Sequence, residues 1–407
     1  MNSYLKEKPQ ALISPGQTVG ILGGGQLGRM VINEGRKMGF HFVTLDPDPD
    51  CPGAQASDRH IAAKYDDWDA VAKLAGQCDL IVYEFENIPP EVVEYLEKIK
   101  PLPQGSRLLK TTRHRLREKK ALREAGVPVA RFQEVNTFQD LMQAVEELGW
   151  PAVLKTTTGG YDGKGQWILH SLDDVDRLPA GLFEEGKPFI LEEWVPFEKE
   201  ISVVVARSIH GEMAAFPPAV NLHRNHILHL SVSPAPVSDS VIRQAVHWAK
   251  QIAESLEVVG LIAVEMFCME DGRLLVNELA PRPHNSGHYT YDACLTSQFE
   301  QLIRAVAGLP LGPAEQVKPA VMVNLLGEHM EMFRSHFPRL PGDIKPHWYG
   351  KKEAKPGRKM GHLTLLGRSM EEAVQWMDGS GIWPPLTEQE KKVIQAFKDG
   401  NYKYTIY

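Results

Sequence analysis

The segment 155–166, with the sequence KTTTGGYDGKGQ, constrains the fold most, because four glycines and two lysines in twelve residues suit neither a buried strand nor a helix. Short apolar stretches precede it at 151–154 and follow it at 167–169, so the pattern predicts a loop at the tip of a hairpin. Glycine exposes backbone amides, and a loop with two lysines suits the phosphates of a nucleotide. An ordinary glycine-rich turn with incidental lysines fits the same residues.

Composition bounds the class of protein. A chain of 407 residues, of which 43% are hydrophobic, is long enough for two or three domains. The net charge of -7 argues against nucleic acid as a partner but leaves room for basic pockets that bind phosphorylated metabolites. The polar N-terminus and the absence of a long apolar run predict a cytoplasmic protein with no membrane association. Four scattered cysteines without metal or disulfide spacing fit a reducing compartment.

The N-terminal segment reads as a strand, a glycine turn and a helix. A strand at 18–22 leads into GGGQLG at 23–28 and a helical pattern from 29 to 38. A second strand at 40–45 ends at Asp46, the acidic position typical of dinucleotide-binding units. A Rossmann oxidoreductase is therefore one alternative, although such a turn also binds anions without any dinucleotide.

A third predicted strand, 79–83, places Glu84 and Glu86 at its carboxyl end. Ligands of open parallel sheets bind at that edge, so one of the two acids is a candidate for contact with substrate. Acids in the first turn of the following helix explain the same residues without any ligand.

A linker at 101–105 is followed by a basic helical segment that begins at 113 and stops at 126–128. Arg115 in this segment is either a ligand contact or one of the solvated charges that basic helix faces usually carry.

A second hairpin is predicted where strand 260–267 meets strand 273–278 through the turn Asp271-Gly272. It brings Glu265 close to Asn277 and Glu278, and two carboxylates with an amide suit a magnesium ion on a nucleotide. Salt-bridge partners on neighbouring strands are the other interpretation.

Two further stretches concentrate polar groups. The PRPHN loop, residues 281–285, holds an arginine, a histidine and an amide between prolines, which suits a small oxyanion. The basic run 351–359 is broken by glycine and proline, so it is either a solvated loop or a phosphate clamp.

The hairpin, the LEEWV strand at 191–195, Glu265 and the pair Asn277-Glu278 occur in an order that resembles the ATP-grasp family over nearly the whole chain. The resemblance implies an α/β and α+β protein with a Rossmann-like (pre-ATP-grasp) domain, a small lid domain and a C-terminal domain. It also implies ATP and Mg²⁺ as cofactors, and ligation of a carboxylate through an acyl phosphate. The expected domains are 1–115 for substrate, 116–199 for the lid, and 200–407 for the metal and bicarbonate site.

Four motifs are similar to one branch of this family, which uses ATP and bicarbonate to carboxylate the amine of 5-aminoimidazole ribonucleotide in purine biosynthesis. The branch implies these three small molecules as partners and a homodimer as the assembly. The motifs are GGGQLGRM at 23–30, GYDGKGQ at 160–166, NELAPRPHN at 277–285, and WYGK at 348–351 with RKMGH at 358–362.

The resemblance implies site residues position by position. For ATP they are Arg115, Lys155, Gly160, Tyr161, Asp162, Gly163, Lys164, Gly165, Gln166, Glu192, Glu193, Trp194, Val195, Glu200, His223, Asn277 and Glu278. For the ribonucleotide they are Gly25, Gln26, Leu27, Glu84, Tyr161, Asp162, Lys351, Arg358 and Lys359. The residues expected to act in catalysis or to hold bicarbonate are Asp162, Lys164, Arg282, His284, Asn285 and Lys351, and the metal ligands are Glu265 and Glu278.

The chain departs from the branch at Lys164, where many members have arginine, so the fork that binds phosphate in a bidentate manner is lost there. Asp46 has no ribose to bind in this interpretation and is expected to be only a strand-end residue. Asp162 is the candidate for orienting the amine or accepting its proton.

Three rivals remain on sequence grounds. A formate-dependent glycinamide ribonucleotide transformylase shares the glycine turn but differs in the hairpin. A Rossmann dehydrogenase leaves Glu265 and Glu278 unexplained, and a regulator that binds ATP without turnover does not need both carboxylates.

Overall fold

The computed structural model describes residues 11–159, 165–184, 186–366 and 370–399. Within these ranges the strands form three sheets, of four, four and nine strands. The mixed α/β and α+β architecture predicted from the sequence is confirmed.

The first sheet is parallel, with strand order β3-β2-β1-β4. The strands predicted at 18–22, 40–45 and 79–83 are present, but β3 was missed because it is a four-residue edge strand with only one buried side chain. The elements are β1 (Thr18–Leu22), α1 (Gln26–Lys37), β2 (His41–Asp46), β3 (Arg59–Ala62), α2 (Trp68–Gln77), β4 (Leu80–Tyr83) and α3 (Pro90–Ile99).

The predicted basic helix is present as α5 (Arg115–Glu124), and a helix that the sequence did not predict, α4 (Ser106–Thr112), precedes it with a break between the two. The break lies at Arg113 and His114, and the second helix then bridges two sheets. The backbone N–H of Arg115 donates to the Thr157 carbonyl at 2.9 Å, while the side chain of Glu118 accepts from the Leu279 N–H at 3.2 Å. Helix α5 therefore sets how the small sheet lies against the large one.

The small sheet is antiparallel, with order β5-β8-β6-β7. The hairpin predicted around the glycine loop is present, and Lys155 on one strand faces Gln166 on the other. Residues 160–164, the tip of that loop, lie outside the described residues. The elements are β5 (Phe132–Val135), α6 (Phe138–Leu148), β6 (Ala152–Thr156), β7 (Gln166–Leu169), α7 (Leu172–Asp176) and β8 (Phe189–Glu193).

The large sheet has the order β14-β13-β9-β11-β12-β15-β17-β16, with β10 paired to β9. The predicted second hairpin is confirmed, and its register sets Glu265 directly opposite Glu278. The strands are β9 (Lys199–Arg207), β10 (Met213–Ala215), β11 (Ala219–Arg224), β12 (Ile227–Ser233), β13 (Gly260–Cys268), β14 (Leu274–Ala280), β15 (Ala320–Leu326), β16 (Ile344–Trp348) and β17 (Lys359–Leu365). The helices are α8 (Asp239–Ser255), α9 (Thr290–Ala293), α10 (Gln298–Ala307), α11 (Met330–His336), α12 (Met370–Gly379) and α13 (Glu388–Asp399).

The core of the large sheet is apolar on the face that α8 covers, with Val203, Val205 and Ile262 at 0% exposure. Burial of such side chains stabilises the fold by about 1.5–3 kcal/mol each. The sheet therefore provides a rigid platform for the polar side chains that leave it at its edge.

Candidate active site

All three sheets meet at a cavity of about 1210 Å³. The glycine turn (residues 23–28) and Glu84 line it from the first sheet, Lys155 from the small sheet, and Glu265 from the large sheet. Polar groups dominate the lining, which is typical of a site for charged ligands.

Carboxylates of the chain itself hold the glycine turn. Glu84 accepts hydrogen bonds from the Gly25 N–H at 2.5 Å and the Gly28 N–H at 2.6 Å, at the N-terminus of α1. Burial raises the pKa of Glu84 to about 7, while the two backbone donors oppose that rise. Two of the amides that a dinucleotide pyrophosphate would use are thus already occupied, which argues against the dehydrogenase alternative.

Asp46 also braces this turn. Its carboxylate accepts from the Gly24 N–H at 2.8 Å and from the Tyr65 hydroxyl at 2.6 Å. The sequence predicted no function for Asp46 beyond ending a strand, and the structure shows that it shapes the cavity wall. Gln26 and Leu27, both predicted for the ribonucleotide, line the cavity beside it.

Glu265 and Glu278 form an acidic pair across β13 and β14. The deep position of Glu265 and then the charge of Glu278 raise the pKa of Glu265 to about 8. Two carboxylates that repel each other at a cavity wall fit a divalent cation. No cluster of three or more histidine, cysteine or acidic side chains suited to a metal occurs in the described ranges, so further ligands would come from the nucleotide.

Basic side chains lie beside the acidic pair. Arg115 Nη1 is 3.4 Å from Glu278 Oε2, and His284 Nε2 is 3.1 Å from Glu265 Oε1. His223 pairs through Nδ1 with Glu200 at 2.8 Å, and all of these residues line the cavity. Hydrogen bonding to Glu200 raises the pKa of His223 against the opposing effect of burial.

The PRPHN loop delivers an arginine and an amide to the same wall. Arg282 grips Glu86 with two of its guanidinium nitrogens, one of them 3.0 Å from Oε1. Although burial opposes it, this contact lowers the pKa of Glu86. Glu84 therefore holds the glycine turn, whereas Glu86 orients Arg282.

Asn285 differs from these residues because its side chain has no hydrogen-bond partner among the described residues. Both Oδ1 and Nδ2 are buried and make no hydrogen bond within the described part of the chain, yet the residue lines the cavity. An unsatisfied buried amide costs about 1–3 kcal/mol, so its presence points to a ligand with both donor and acceptor atoms.

Several predicted residues lie apart from the cavity lining. Glu193 binds Arg131, with 2.6 Å between Oε2 and Nε, and Val195 packs in a small apolar cluster. Trp194 is 41% exposed, and the backbone N–H of the same residue donates to the Pro151 carbonyl at 3.2 Å.

The basic run near the C-terminus is only partly at the site. Lys359 lines the cavity, while Lys351 Nζ donates to the Lys359 carbonyl at 2.8 Å and Arg358 Nη1 donates to the Glu353 carbonyl at 3.1 Å. Burial and then the neighbouring Arg358 lower the pKa of Lys351 to about 8. The predicted residues Gly160, Tyr161, Asp162, Gly163 and Lys164 lie outside the described residues.

Sequence reasoning missed several lining residues. Phe267 lies two positions after Glu265 on the same strand, so the strand period alone places both on one face. Asn225 and His226 form the β11–β12 turn, with φ of 50° and 65°. The preference of asparagine for such turns is the one local signal that could have indicated this turn. Arg113 and Tyr65 gave no local signal, because they reach the cavity through tertiary packing.

A glycine-rich hairpin on a small sheet, an acidic pair on a large sheet and a bridging helix between them are typical of an ATP-grasp enzyme. Three family models match in chain order, the Ribonucleotide synthetase preATP-grasp domain at residues 16–111, the ATP-grasp domain at 120–299 and the Phosphoribosylaminoimidazole carboxylase C-terminal domain at 320–375. The resemblance inferred from the sequence motifs is confirmed.

Relatives specify the branch. The N5-carboxyaminoimidazole ribonucleotide synthase of Bacillus subtilis (strain 168) is 48% identical over 375 residues, which cover 91% of this chain and 98% of the relative. The protein of the same name from Staphylococcus epidermidis (strain ATCC 35984) is 41% identical over 363 residues, with coverage of 89% and 96%. The chain belongs to the N5-carboxyaminoimidazole ribonucleotide synthase family.

Solved structures agree with this assignment. An ADP complex of an N5-carboxyaminoimidazole ribonucleotide synthetase has a TM-score of 0.88 at 50% identity and covers 92% of this chain and 99% of its own. The Aspergillus clavatus N5-carboxyaminoimidazole synthase in complex with ADP and 5-aminoimidazole ribonucleotide has a TM-score of 0.81 at 30% identity, with coverage of 93% and 98%. Among the described residues, no helix is long and apolar enough to span a membrane.

Proposed function

We infer that this protein is an ATP-dependent carbon-nitrogen ligase that carboxylates 5-aminoimidazole ribonucleotide with bicarbonate, giving 5-(carboxyamino)imidazole ribonucleotide, ADP and phosphate. The observation that carries this proposal is the single cavity in which the glycine turn, Lys155, the acidic pair and the PRPHN loop meet. The cavity contains suitable groups for each ligand: cations for the phosphates, carboxylates for a metal ion, and an unsatisfied amide for a small oxyanion.

Magnesium is proposed as the cation, held by Glu265 and Glu278 with the nucleotide phosphates completing its coordination. The residues fit this ion, because two hard oxygen ligands repel each other in the absence of positive charge. When bound, the ion neutralises charge that develops on the transferred phosphoryl group.

The first step joins bicarbonate to the terminal phosphate of ATP. A bicarbonate oxygen attacks the γ-phosphorus, the bond to the β-phosphate oxygen breaks, and ADP leaves as carboxyphosphate forms. Lys155, Arg115, His284 and Asn285 all line the cavity. Lys155 and Arg115 are proposed to spread the negative charge, and Asn285 with His284 is proposed to hold the carboxyl oxygens. Lys351 also belongs to this proposed set. It directly follows Gly350, whose carbonyl accepts a hydrogen bond from Gln55 in the N-terminal part of the chain.

Arg282 is proposed to bind the carboxyphosphate anion through the part of its guanidinium that Glu86 does not hold. The Glu86 contact leaves Nη1 directed to the Pro283 carbonyl at 3.2 Å, a weaker partner that an anion can replace. Glu86 thereby keeps the guanidinium plane fixed before the anion arrives.

In the second step the exocyclic amine attacks the carboxyl carbon, phosphate leaves, and one amine proton is lost. The Asp162 carboxylate is the proposed acceptor of that proton, and Tyr161 and Lys164, close to it in the sequence, belong to the same proposed set. Glu84 and the glycine turn are proposed to position the ribonucleotide, with Arg358 and Lys359 near its phosphate. Exclusion of water is required because carboxyphosphate hydrolyses readily.

Phosphate release from ATP tests the proposal. Release that depends on both 5-aminoimidazole ribonucleotide and bicarbonate is the expected result. Stimulation by formate with glycinamide ribonucleotide in place of these substrates would instead identify the transformylase rival. Asp162→Asn is expected to lower turnover while ADP still binds, and full turnover would remove that residue from the mechanism.

The remaining proposals concern the context of the enzyme. A homodimer is proposed from the resemblance alone, and a cytoplasmic location is proposed because it is consistent with an enzyme of purine biosynthesis. Light scattering on the purified chain tests the first, with a monomeric mass as the contradicting result.

A further inference from the structure

A buried lysine, Lys119, shares a carboxylate partner with Lys155, the lysine that lines the cavity. Lys119, in the second turn of α5, is only 2% exposed. Its Nζ lies 3.5 Å from Glu192 Oε1 and donates a hydrogen bond to the Asn277 carbonyl at 2.8 Å. The ammonium therefore contacts the small sheet and the large sheet at once.

The same glutamate also holds Lys155. Glu192, which the resemblance implied as an ATP contact, is 3% exposed and is not among the residues that line the cavity. Its Oε2 lies 2.6 Å from Lys155 Nζ. One carboxylate is thus placed between two ammonium groups, one buried and one facing the cavity. Burial acts to raise the pKa of Glu192, but Lys119 and then Lys155 outweigh it and hold the pKa at about 2, so the carboxylate is ionised.

The charge count of this triad has a direct consequence. Two ammonium groups and one carboxylate leave one net positive charge, and Lys155 is the member that lines the cavity. If Lys119 were removed, Glu192 would pair with Lys155 alone and cancel the charge offered to an incoming phosphate. In a low-dielectric site such a change is felt strongly, because few solvent dipoles screen it.

We propose that Lys119 is a positioning residue for nucleotide binding, which engages Glu192 so that Lys155 keeps a surplus positive charge for the phosphates. The proposal rests on the proposed function only in that the cavity binds a nucleoside polyphosphate. It assigns Lys119 no contact with substrate.

Binding of ADP and of adenosine, measured by calorimetry on the full chain, tests the proposal. Lys119→Met is expected to weaken ADP binding about tenfold, the usual scale for one lost charge interaction, while adenosine affinity changes by less than about twofold. Lys119→Arg is expected to retain the preference for ADP over adenosine. Lys120→Met is the matched control, because Lys120 is the next residue of α5 and its side chain is 60% exposed.

A double variant separates charge balance from a merely structural effect. Lys119→Met with Glu192→Gln removes both buried charges and leaves Lys155 unneutralised, so the preference for ADP over adenosine is expected to return. This variant also carries the test if Lys119→Met alone does not fold, since it removes the buried charge of Glu192 together with that of its partner Lys119.

Two results would overturn the proposal: equal losses of ADP and adenosine affinity in Lys119→Met, or a double variant that fails to regain the preference. Neither measurement contains ribonucleotide or bicarbonate. Failure here is therefore distinguishable from failure of the proposed reaction, which phosphate release in the unmodified protein decides.

Discussion

The glycine turn and the PRPHN loop line one cavity but differ in how their polar groups are satisfied. At the turn, Asp46 and Glu84 accept hydrogen bonds from the backbone N–H groups of Gly24, Gly25 and Gly28, so these three donors are satisfied without a ligand. At the loop, both side-chain atoms of Asn285 are buried without a partner in the described chain. The fold itself therefore satisfies the three backbone donors of the turn, whereas it leaves the buried Asn285 amide of the loop to the proposed ligand.

This difference separates stability from activity. Groups that are already paired contribute to the fold, and their removal changes the free energy of unfolding. Groups that await a ligand contribute little to the fold or even lower its stability, and their removal changes binding or turnover.

The largest effect is expected at the acidic pair beside the PRPHN loop. Glu278→Gln removes one proposed metal ligand, so kcat should fall about 100-fold or more, as loss of a group that stabilises transition-state charge usually does. Stability should not fall, because the repulsion from Glu265 is relieved. Phosphate-release kinetics and urea unfolding measure the two quantities.

Asp271→Asn in the turn of the same hairpin is the control for that variant, since Asp271 pairs only with neighbouring Arg273 in the described structure. Turnover of Glu278→Gln at the unmodified rate would contradict the metal assignment.

The glycine turn should show its role in the pH dependence of stability. The folded-state pKa of Glu84, about 7, lies above its ordinary value of 4.5, so the folded state binds this proton more tightly than the unfolded state. The contribution of Glu84 to the free energy of unfolding is fully present below pH 4.5 and is lost as the pH rises through 7. The expected loss is about 3 kcal/mol.

Glu84→Gln should abolish this part of the pH dependence of the free energy of unfolding. Urea unfolding at several pH values between 4.5 and 8, compared between the two proteins, isolates Glu84 from other buried acids. Parallel curves for the two proteins would show that Glu84 is ionised throughout and that its backbone donors outweigh burial.

Asn285→Ala should give the opposite pattern. Loss of one hydrogen-bonding side chain should raise the KM for bicarbonate about tenfold. The free energy of unfolding should stay level or increase, because an unsatisfied buried amide is removed. A stability loss above about 2 kcal/mol with unchanged KM would mean that Asn285 is a structural residue.

The last prediction concerns Gly350, which lies just before the basic run 351–359 and contacts Gln55 in the N-terminal part of the chain. Its φ is 81°, its carbonyl accepts from Gln55 Nε2 at 2.8 Å, and an added Cβ would meet Gln55 Oε1. Gly350→Ala should therefore cost about 1–2 kcal/mol of stability. Gly342→Ala, where no atom lies within 4 Å of the added Cβ, is the control in urea unfolding. Equal midpoints for the two variants would contradict this account.

Local patterns predicted the elements that carry the chemistry. The hairpin around 155–166 and the second hairpin follow from apolar runs separated by turn residues, and the facing of Glu265 and Glu278 follows from strand pairing. The short edge strand β3 and helix α4 escaped prediction, because each is too short to show a clear periodic pattern.

The sequence by itself determined the fold class, the family and the identity of the groups available for catalysis, because strand periodicity, turn chemistry and motif order are local properties. Only the tertiary structure decided which of those groups are already engaged. Glu86 and Arg282 are 196 positions apart, and Lys119 reaches Asn277 over 158, so no local pattern records either contact. Partnership among buried charges depends on three-dimensional proximity and burial, and these arise only when the sheets pack together.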